Sequence, residues 1–133
     1  MTNDPPFRLA VTRSFTARHF LTVPNPGPEG EPHSHDYRLE VIIEGHELDQ
    51  WGYLVDIDRL DARLDDIEDA YAGRFLNDLE PFRGENPSVE RFARLIASQL
   101  IDDIDTTRLA TLEVRLWEDE FAWASYRTPL VDE

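Results

Sequence analysis

Hydrophobic and polar positions alternate in the first third of the chain as they do in half-buried β-strands. Residues 9–15 place Leu9, Val11 and Phe15 on one side and Thr12 and Ser14 on the other. A second strand is predicted from about residue 35 to 44, after a loop rich in Pro, Gly and Glu at residues 22–32. In this second strand the apolar face carries Tyr37, Leu39, Val41 and Ile43.

The middle of the chain changes to the period of an α-helix. One apolar stripe runs through Ile57, Leu60, Leu64 and Ile67. Asn86 and Pro87 predict the start of a second helix, because Asn is a good N-cap and Pro suits the first helical position. The apolar stripe of that second helix consists of Val89, Phe92, Ala93, Ile96 and Leu100. We interpret both stripes as core.

The C-terminal part of the chain again shows the alternation of apolar and polar residues that is typical of β-strands. Leu112, Val114 and Leu116 form one face of a strand, and Glu118 falls on that same apolar side. Residues 121–127 are rich in aromatics and predict a hairpin partner for this strand. The predicted order is therefore two strands, two helices and two strands, an α+β arrangement.

The length of 133 residues predicts one domain, over residues 1–133, with enough chain to bury a core. No stretch of 18 apolar residues and no secretory leader is present, so we expect neither a membrane span nor export, and a cytoplasmic location is the default. The absence of cysteine excludes disulfides, thiolate ligands and cysteine nucleophiles.

The charge is strongly negative, with 28 acidic residues against 13 basic ones and a net charge of −15. All of the basic residues are arginine. Such a surface disfavours nucleic-acid phosphates and anionic membranes as partners. It favours adaptation to concentrated salt, where screening removes self-repulsion between like charges.

Three histidines in two short clusters are the clearest chemical signal. His33 and His35 share one face of the second strand, and His19 lies on the face of Phe15 in the first. Adjacent strands would aim three imidazoles at one point and leave a fourth tetrahedral position open, as in catalytic zinc sites. The alternative is that these histidines are ordinary surface or hydrogen-bonded core residues.

At this point the chain resembles the family of 6-pyruvoyl-tetrahydropterin synthases and 6-carboxytetrahydropterin synthases. The resemblance rests on six sequence motifs that occur in the same order as in the family and cover nearly the whole chain. They are Phe15-x-Ala17-x-His19, His33-x-His35-x-Tyr37, Gly52-Tyr53-Leu54-Val55-Asp56, Leu76-Asn77-Asp78, Asn86-Pro87-Ser88-x-Glu90 and a strand ending at Glu118.

The resemblance implies a T-fold: an antiparallel four-stranded sheet with two helices on one face, in the order ββααββ. It implies that three subunits close a barrel and that two trimers form a homohexamer. It further implies that His19, His33 and His35 bind Zn²⁺, that Glu118 anchors the pterin ring, and that the substrate is dihydroneopterin triphosphate or a related pterin.

Two departures from the family pattern concern proton transfer. Most members carry a cysteine shortly before the H-x-H pair, whereas this chain has Glu29 and Glu31 in that loop. A minor branch uses glutamate there and is associated with cleavage to 6-hydroxymethyl-dihydropterin. Either glutamate is therefore a candidate general base, and the alternative is that both are ordinary surface acids.

The second departure is at an Asp-His pair that the family uses as a proton relay. Aligned on Leu76-Asn77, those positions hold Ala72 and Gly73, neither of which can move a proton. The remaining histidine, His46, follows a strand near a turn and is expected at the surface.

Three functions remain open from the sequence. The first is a zinc-dependent pterin lyase with an altered base, and the second is a non-catalytic zinc- and pterin-binding paralogue or partner subunit. The third is a generic three-histidine protein such as a small cupin, which would need more strands and would lack the helix pair.

Overall fold

The computed structural model describes residues 4–102 and 104–130. The predicted order ββααββ is confirmed. The elements are β1 (Phe7–His19), β2 (His33–Gly45), α1 (Ile57–Tyr71), α2 (Val89–Ile101), β3 (Leu109–Trp117) and β4 (Trp123–Pro129). Among the described residues, no helix has the length and apolar character needed to span a membrane.

The strands form one antiparallel sheet in the order β1-β2-β3-β4. The β1–β2 pairing is continuous from Phe7 opposite Gly45 to His19 opposite His33. In contrast, β3 pairs with β2 from Arg38 onwards, where Arg38 lies opposite Trp117. The first residues of β2, from His33 to Tyr37, therefore extend past the end of β3, and a recess opens beside them.

One face of the sheet packs against both helices, and the period-two pattern explains which one. Every second residue of the β2 and β3 strands is buried there, and the buried face of α2 covers them. These core residues are Tyr37, Leu39, Val41, Ile43, Leu112, Val114, Leu116, Phe92, Ala93, Ile96 and Leu100. The four-stranded sheet with its helix pair excludes the cupin alternative.

Two local predictions about the helices are corrected. The N-cap of α2 is Ser88, whose hydroxyl accepts a hydrogen bond from the Arg91 N–H, and not Asn86. Asn86 is held elsewhere, because its Oδ1 accepts from the N–H of Thr22 at 2.8 Å. In α1, Ile57 is the first helical residue but is 42% exposed, so the buried stripe begins at Leu60.

An aromatic cluster centred on Phe92 lies beneath the ends of β1 and β2. The Phe92 ring is fully buried, and its centroid lies 5.0 Å from Tyr71, 5.3 Å from Tyr37 and 6.0 Å from Phe15. Edge-to-face pairs of this kind stabilise a core beyond their buried area. The cluster therefore ties α2 to the strand ends that carry the histidines.

We predict that Phe92→Ala lowers the free energy of unfolding by about 3–5 kcal/mol, since it removes a buried ring and leaves a cavity. Phe121→Ala is the matched control, because the Phe121 ring is 89% exposed, and its effect should stay within about 0.5 kcal/mol. Denaturant unfolding at fixed salt measures both values. Equal losses in the two variants would contradict the central role of Phe92.

Candidate metal centre and adjoining pocket

The three predicted histidines lie together at one end of the sheet. His19 ends β1 directly opposite His33 in β2, and His35 lies two residues further along β2 on the same face. The ring centroids are 4.7 to 4.9 Å apart, and one ring nitrogen from each lies within 4.8 Å of the others. This grouping is the one that the sequence predicts, and it is a set that can hold a metal ion.

Backbone carbonyls fix the orientation of two of the rings. Nδ1 of His19 lies 3.1 Å from the carbonyl oxygen of Pro87, and Nδ1 of His33 lies 2.8 Å from that of Glu31. A carbonyl only accepts, so each Nδ1 carries a proton, and in the neutral ring Nε2 then keeps its lone pair. Carbonyl acceptors of this kind commonly orient metal-bound histidines.

The Nε2 atoms of all three histidines are buried and make no hydrogen bond with the described residues. Buried polar atoms normally have a partner, and three unpartnered nitrogens in one place need a common explanation. Neutral imidazole nitrogens suit zinc and several other divalent ions. The residues present therefore fit a metal ion on their donor set and on their unpartnered atoms.

The electrostatic environment keeps His19 in the form that binds metals. Burial, together with the charges of His35 and His33, lowers the pKa of His19 to about 4. The imidazole is therefore neutral near pH 7, so little proton release accompanies metal binding at this residue.

Tyr37 lies under the histidines, and its role was not assigned from the sequence. Its hydroxyl lies 3.4 Å from Nδ1 of His19, and its side chain is buried. Burial raises the pKa of Tyr37, and the charge of Glu118 raises it further, so the phenol stays protonated. The alternation in β2 indicates that Tyr37 faces the core, but it does not show that the hydroxyl reaches His19.

Glu118 lies directly after β3 and reaches the imidazole cluster. Its Oε1 is 2.9 Å from Nε2 of His35, although the contact lacks the direction of a hydrogen bond. Burial raises the pKa of Glu118, and the charges of Glu29 and Asp119 act in the same direction, while His35 opposes them. The expected placement of Glu118 on the apolar side of its strand thus brings a carboxylate to the edge of the cluster.

The two loop glutamates have different surroundings. Glu29 belongs to a short 3-10 helix, Gly27–Gly30, and its charge acts on Glu118. Glu31 takes part through its backbone, since its carbonyl oxygen faces Nδ1 of His33.

A pocket of about 650 Å³ opens beside the cluster, in the recess where β2 extends past β3. It is lined by Ser34, His35, Asp36, Arg38, Trp117, Glu118, Asp119 and Glu120. Another cavity, of about 520 Å³, lies beside the β2–α1 connection next to Trp51 and Tyr53, beyond the opposite end of β2. The pocket with His35 and Glu118 in its wall is therefore the candidate binding site.

Hydrogen bonds hold the backbone at Ala72 and Gly73, the positions where the resemblance implies a proton relay. Gly73 donates its N–H to the carbonyl of Thr16 at 2.6 Å, and it has a φ of +69°, which favours glycine. His46 is exposed beyond the far end of β2, so it does not replace the relay.

Two asparagines hold the chain that leaves β1, and the sequence did not reveal this role. Asn77 accepts from the N–H of Phe20 at 2.9 Å and donates to its carbonyl at 3.1 Å, while Asn86 accepts from Thr22. They fix the segment directly after His19. Both asparagines belong to motifs that carry the resemblance, and this is the only signal in the sequence that marks these two residues.

Residues 8–129 match the family model described as 6-pyruvoyl tetrahydropterin synthase. A comparison with curated proteins found no match.

Solved structures of that description share the fold. The 6-pyruvoyl tetrahydropterin synthase of Caenorhabditis elegans is 20% identical with a TM-score of 0.80, over 96% of this chain and 99% of the other. That of Plasmodium falciparum is 17% identical with a TM-score of 0.77, over 96% and 99%. A Plasmodium vivax structure, described as a glutamate-to-cysteine mutant of a catalytic residue, is 20% identical with a TM-score of 0.76, over 92% and 98%.

The lowered pKa of His19 predicts a pH dependence of stability for the metal-free protein. The unfolded chain takes up a proton near pH 6.5 and the folded chain only near pH 4, so stability is full above that window and falls as the pH drops through it. The loss is up to about 3 kcal/mol. Denaturant unfolding in chelator at constant salt measures it.

The His19→Gln variant is the control for this measurement, because many carboxylates also titrate at the lower end of the window. We expect the wild-type protein to lose more stability than the variant between pH 7 and pH 4.5. Parallel curves for the two proteins would contradict the assignment to His19.

Proposed function

The chain belongs to the 6-pyruvoyl tetrahydropterin synthase family, and from that premise we propose that it is a zinc-dependent lyase acting on the side chain of a pterin. The observation that carries the proposal is the cluster of three histidines with unpartnered Nε2 atoms, open to a pocket whose wall holds Glu118. Its fold is the T-fold of that family, and pterin metabolism is the setting that the family supports.

Zinc is the proposed metal, and His19, His33 and His35 are its proposed ligands. The cluster of potential metal ligands found among the described residues consists of three imidazoles, and three protein ligands are typical of catalytic zinc, which keeps one position for water or substrate. When bound there, zinc supplies Lewis acidity that makes the protons of side-chain hydroxyls removable near neutral pH.

Glu118 is the proposed anchor for the pterin ring. A carboxylate accepts two parallel hydrogen bonds from an amino-pyrimidinone edge, and such charge-assisted pairs give orientation as well as affinity. The partly buried position of Glu118, with its side chain 23% exposed, favours this role over that of a solvated surface acid.

Glu29 is the proposed general base, in preference to Glu31. The charge of Glu29 is one of the influences that raise the pKa of Glu118. The contact that Glu31 makes with the histidines is through its backbone carbonyl, which accepts from Nδ1 of His33. The Plasmodium vivax relative, described by a change of a catalytic glutamate, provides a family precedent for glutamate chemistry.

The proposed reaction is cleavage to a 6-hydroxymethyl-dihydropterin. Glu29 takes the proton of the 2′ hydroxyl, the C1′–C2′ bond breaks, and its electron pair passes into the ring. The C2′ carbon leaves as an aldehyde, and a proton returns to C1′. Atoms and electrons balance without an oxidant, and the missing relay at Ala72 and Gly73 is not needed.

We further propose the homohexamer of the family, a dimer of trimers, with a cytoplasmic location. In the single chain β1 and β4 form the two edges of the sheet. Open edges invite pairing with another chain, and joining β1 of one subunit to β4 of the next would remove them.

We predict that the protein binds one zinc ion per chain and that His33→Ala weakens binding by more than about 100-fold, since even loss of an outer partner of a ligand costs roughly 10–100-fold. Competition with a zinc-sensitive dye measures the affinity. His46→Ala is the matched control, because His46 is exposed at the far end of β2. Equal affinity in both variants would exclude the three-histidine site.

We predict that the zinc-loaded protein, in multimolar potassium chloride, converts dihydroneopterin or its triphosphate to a 6-hydroxymethyl product detected by mass spectrometry. Glu29→Gln should lower the rate about 10²–10⁴-fold through loss of the base. Glu31→Gln should change it far less, and Glu118→Ala should abolish pterin binding. Glu47→Gln, beyond the far end of β2, is the control for a lost surface charge.

Unchanged substrate with zinc bound and pterin affinity intact would overturn the lyase proposal in favour of a non-catalytic binding or partner role. An equal loss of rate in Glu29→Gln and Glu31→Gln would remove the assignment of the base. Unaltered pterin affinity in Glu118→Ala would remove the anchor.

A further inference from the structure

The carbonyl oxygen of Pro87 links the start of α2 to the histidine cluster. Pro87 is buried, and its carbonyl oxygen lies 3.1 Å from Nδ1 of His19. A buried carbonyl needs a hydrogen-bond donor, and in a helix that donor is the N–H four residues later, which here belongs to Arg91. Two N–H groups are therefore candidate donors to this oxygen, one in α2 and one on the imidazole that ends β1.

The side chain of Ser88 decides between these two donors. Its hydroxyl accepts from the N–H of Arg91 at 3.2 Å, and its carbonyl accepts from the N–H of Phe92 at 3.0 Å. Ser88 itself has extended dihedral angles, with φ −66° and ψ 157°, so the helix starts after it and Pro87 lies outside. The Pro87 oxygen thus receives no donor from the helix, and the imidazole of His19 satisfies it.

The polar groups of the residue before Pro87 have partners of their own. The carbonyl of Asn86 accepts from the N–H of Ser88 at 2.9 Å and from the guanidinium of Arg91 at 3.2 Å. The side-chain oxygen of Asn86 accepts from the N–H of Thr22 at 2.8 Å, so it does not cap the helix. These contacts keep the first turn of α2 from extending back to include Pro87.

The partner of Nδ1 determines which nitrogen of His19 is available to a metal. With the Pro87 oxygen as acceptor, the proton stays on Nδ1 and Nε2 keeps its lone pair. The hydroxyl of Tyr37 also lies near Nδ1, at 3.4 Å, and a hydroxyl can donate as well as accept. A hydrogen bond donated by Tyr37 would place the proton on Nε2 and leave no lone pair there for a metal.

We propose that Ser88 is a positioning residue of the metal centre. By capping α2 it leaves the Pro87 carbonyl free for His19, and so it fixes the orientation and the tautomer of this ligand. The inference concerns the metal site of the proposed function and rests on that proposal. The contacts that carry it lie within one chain, so it does not depend on how subunits assemble.

The first test is the tautomer of His19 in the metal-free protein, measured by nitrogen NMR of histidine-labelled protein near neutral pH. We expect the wild-type imidazole to carry its proton on Nδ1. In Ser88→Ala the N–H of Arg91 loses its acceptor, and the Pro87 carbonyl is the helical partner four residues before it. We therefore expect the proton of His19 to move toward Nε2 in this variant.

The second test is zinc affinity, measured by competition with a zinc-sensitive dye at fixed salt. Ser88→Ala should weaken binding about tenfold, at the lower end of the roughly 10–100-fold cost of losing an outer partner of a ligand. Ser88→Thr keeps a hydroxyl at the cap and should bind within about twofold of the wild type. Ser88→Gly serves if the alanine variant does not fold, since glycine is tolerated at an N-cap but offers Arg91 no acceptor.

Asp56→Ala is the matched control, because Asp56 caps α1 in the same way, by accepting from the N–H groups of Asp58 and Arg59. Asp56 lies in the β2–α1 connection, beyond the end of β2 that is opposite the histidines. Its replacement removes a helix cap of the same kind, so a similar loss of stability is expected. The tautomer of His19 and the zinc affinity should stay as in the wild type.

Either an unchanged tautomer or an unchanged zinc affinity in Ser88→Ala and Ser88→Gly would overturn the inference while leaving the metal centre and the lyase proposal intact. Equal losses of zinc affinity in Ser88→Ala and Asp56→Ala would overturn it too, because a general loss of stability would then explain both. Absence of zinc binding by the wild-type protein would instead remove the proposed metal centre, and the inference with it.

Discussion

The pairing register of β1 with β2 is the constraint on which the site depends. It places His19 opposite His33 and Ala17 opposite His35, and it places the apolar residues of both strands over the helices at the same time. Because side chains alternate along a strand, a slip of one residue would move both the core and the ligands to the wrong face. The burial of the core therefore also holds the three imidazoles together.

The surroundings of the three histidines provide hydrogen-bond partners for some of their ring nitrogens and not for others. Two Nδ1 atoms are satisfied by the carbonyls of Pro87 and Glu31, whereas the Nε2 atoms remain buried without partners. Unpaired buried nitrogens destabilise a chain unless something binds them. The aromatic cluster around Phe92 lies just below the histidines and supplies rigid packing at the strand ends that carry them.

Regular periodicity made the strands and helices predictable from the sequence, whereas contacts made by loops were not predictable. Alternation in β2 placed His33, His35 and Tyr37 on one face, and the apolar period found both helices. The sequence pattern missed Ser88 as the N-cap, because Asn86 is used instead to hold Thr22. Nor could it separate Glu29 from Glu31, since neighbours in a loop have no periodic direction.

The departures from the family pattern agree with one another. Elimination and internal redox transfer on a pterin side chain move protons at several atoms, and a relay of acid–base residues can carry those protons. The proposed cleavage takes a proton from the 2′ hydroxyl and returns one to C1′, and a single carboxylate such as Glu29 can perform both transfers in turn. The proposed cleavage is therefore the reaction that fits a chain with Ala72 and Gly73 at the positions of the relay and with no cysteine.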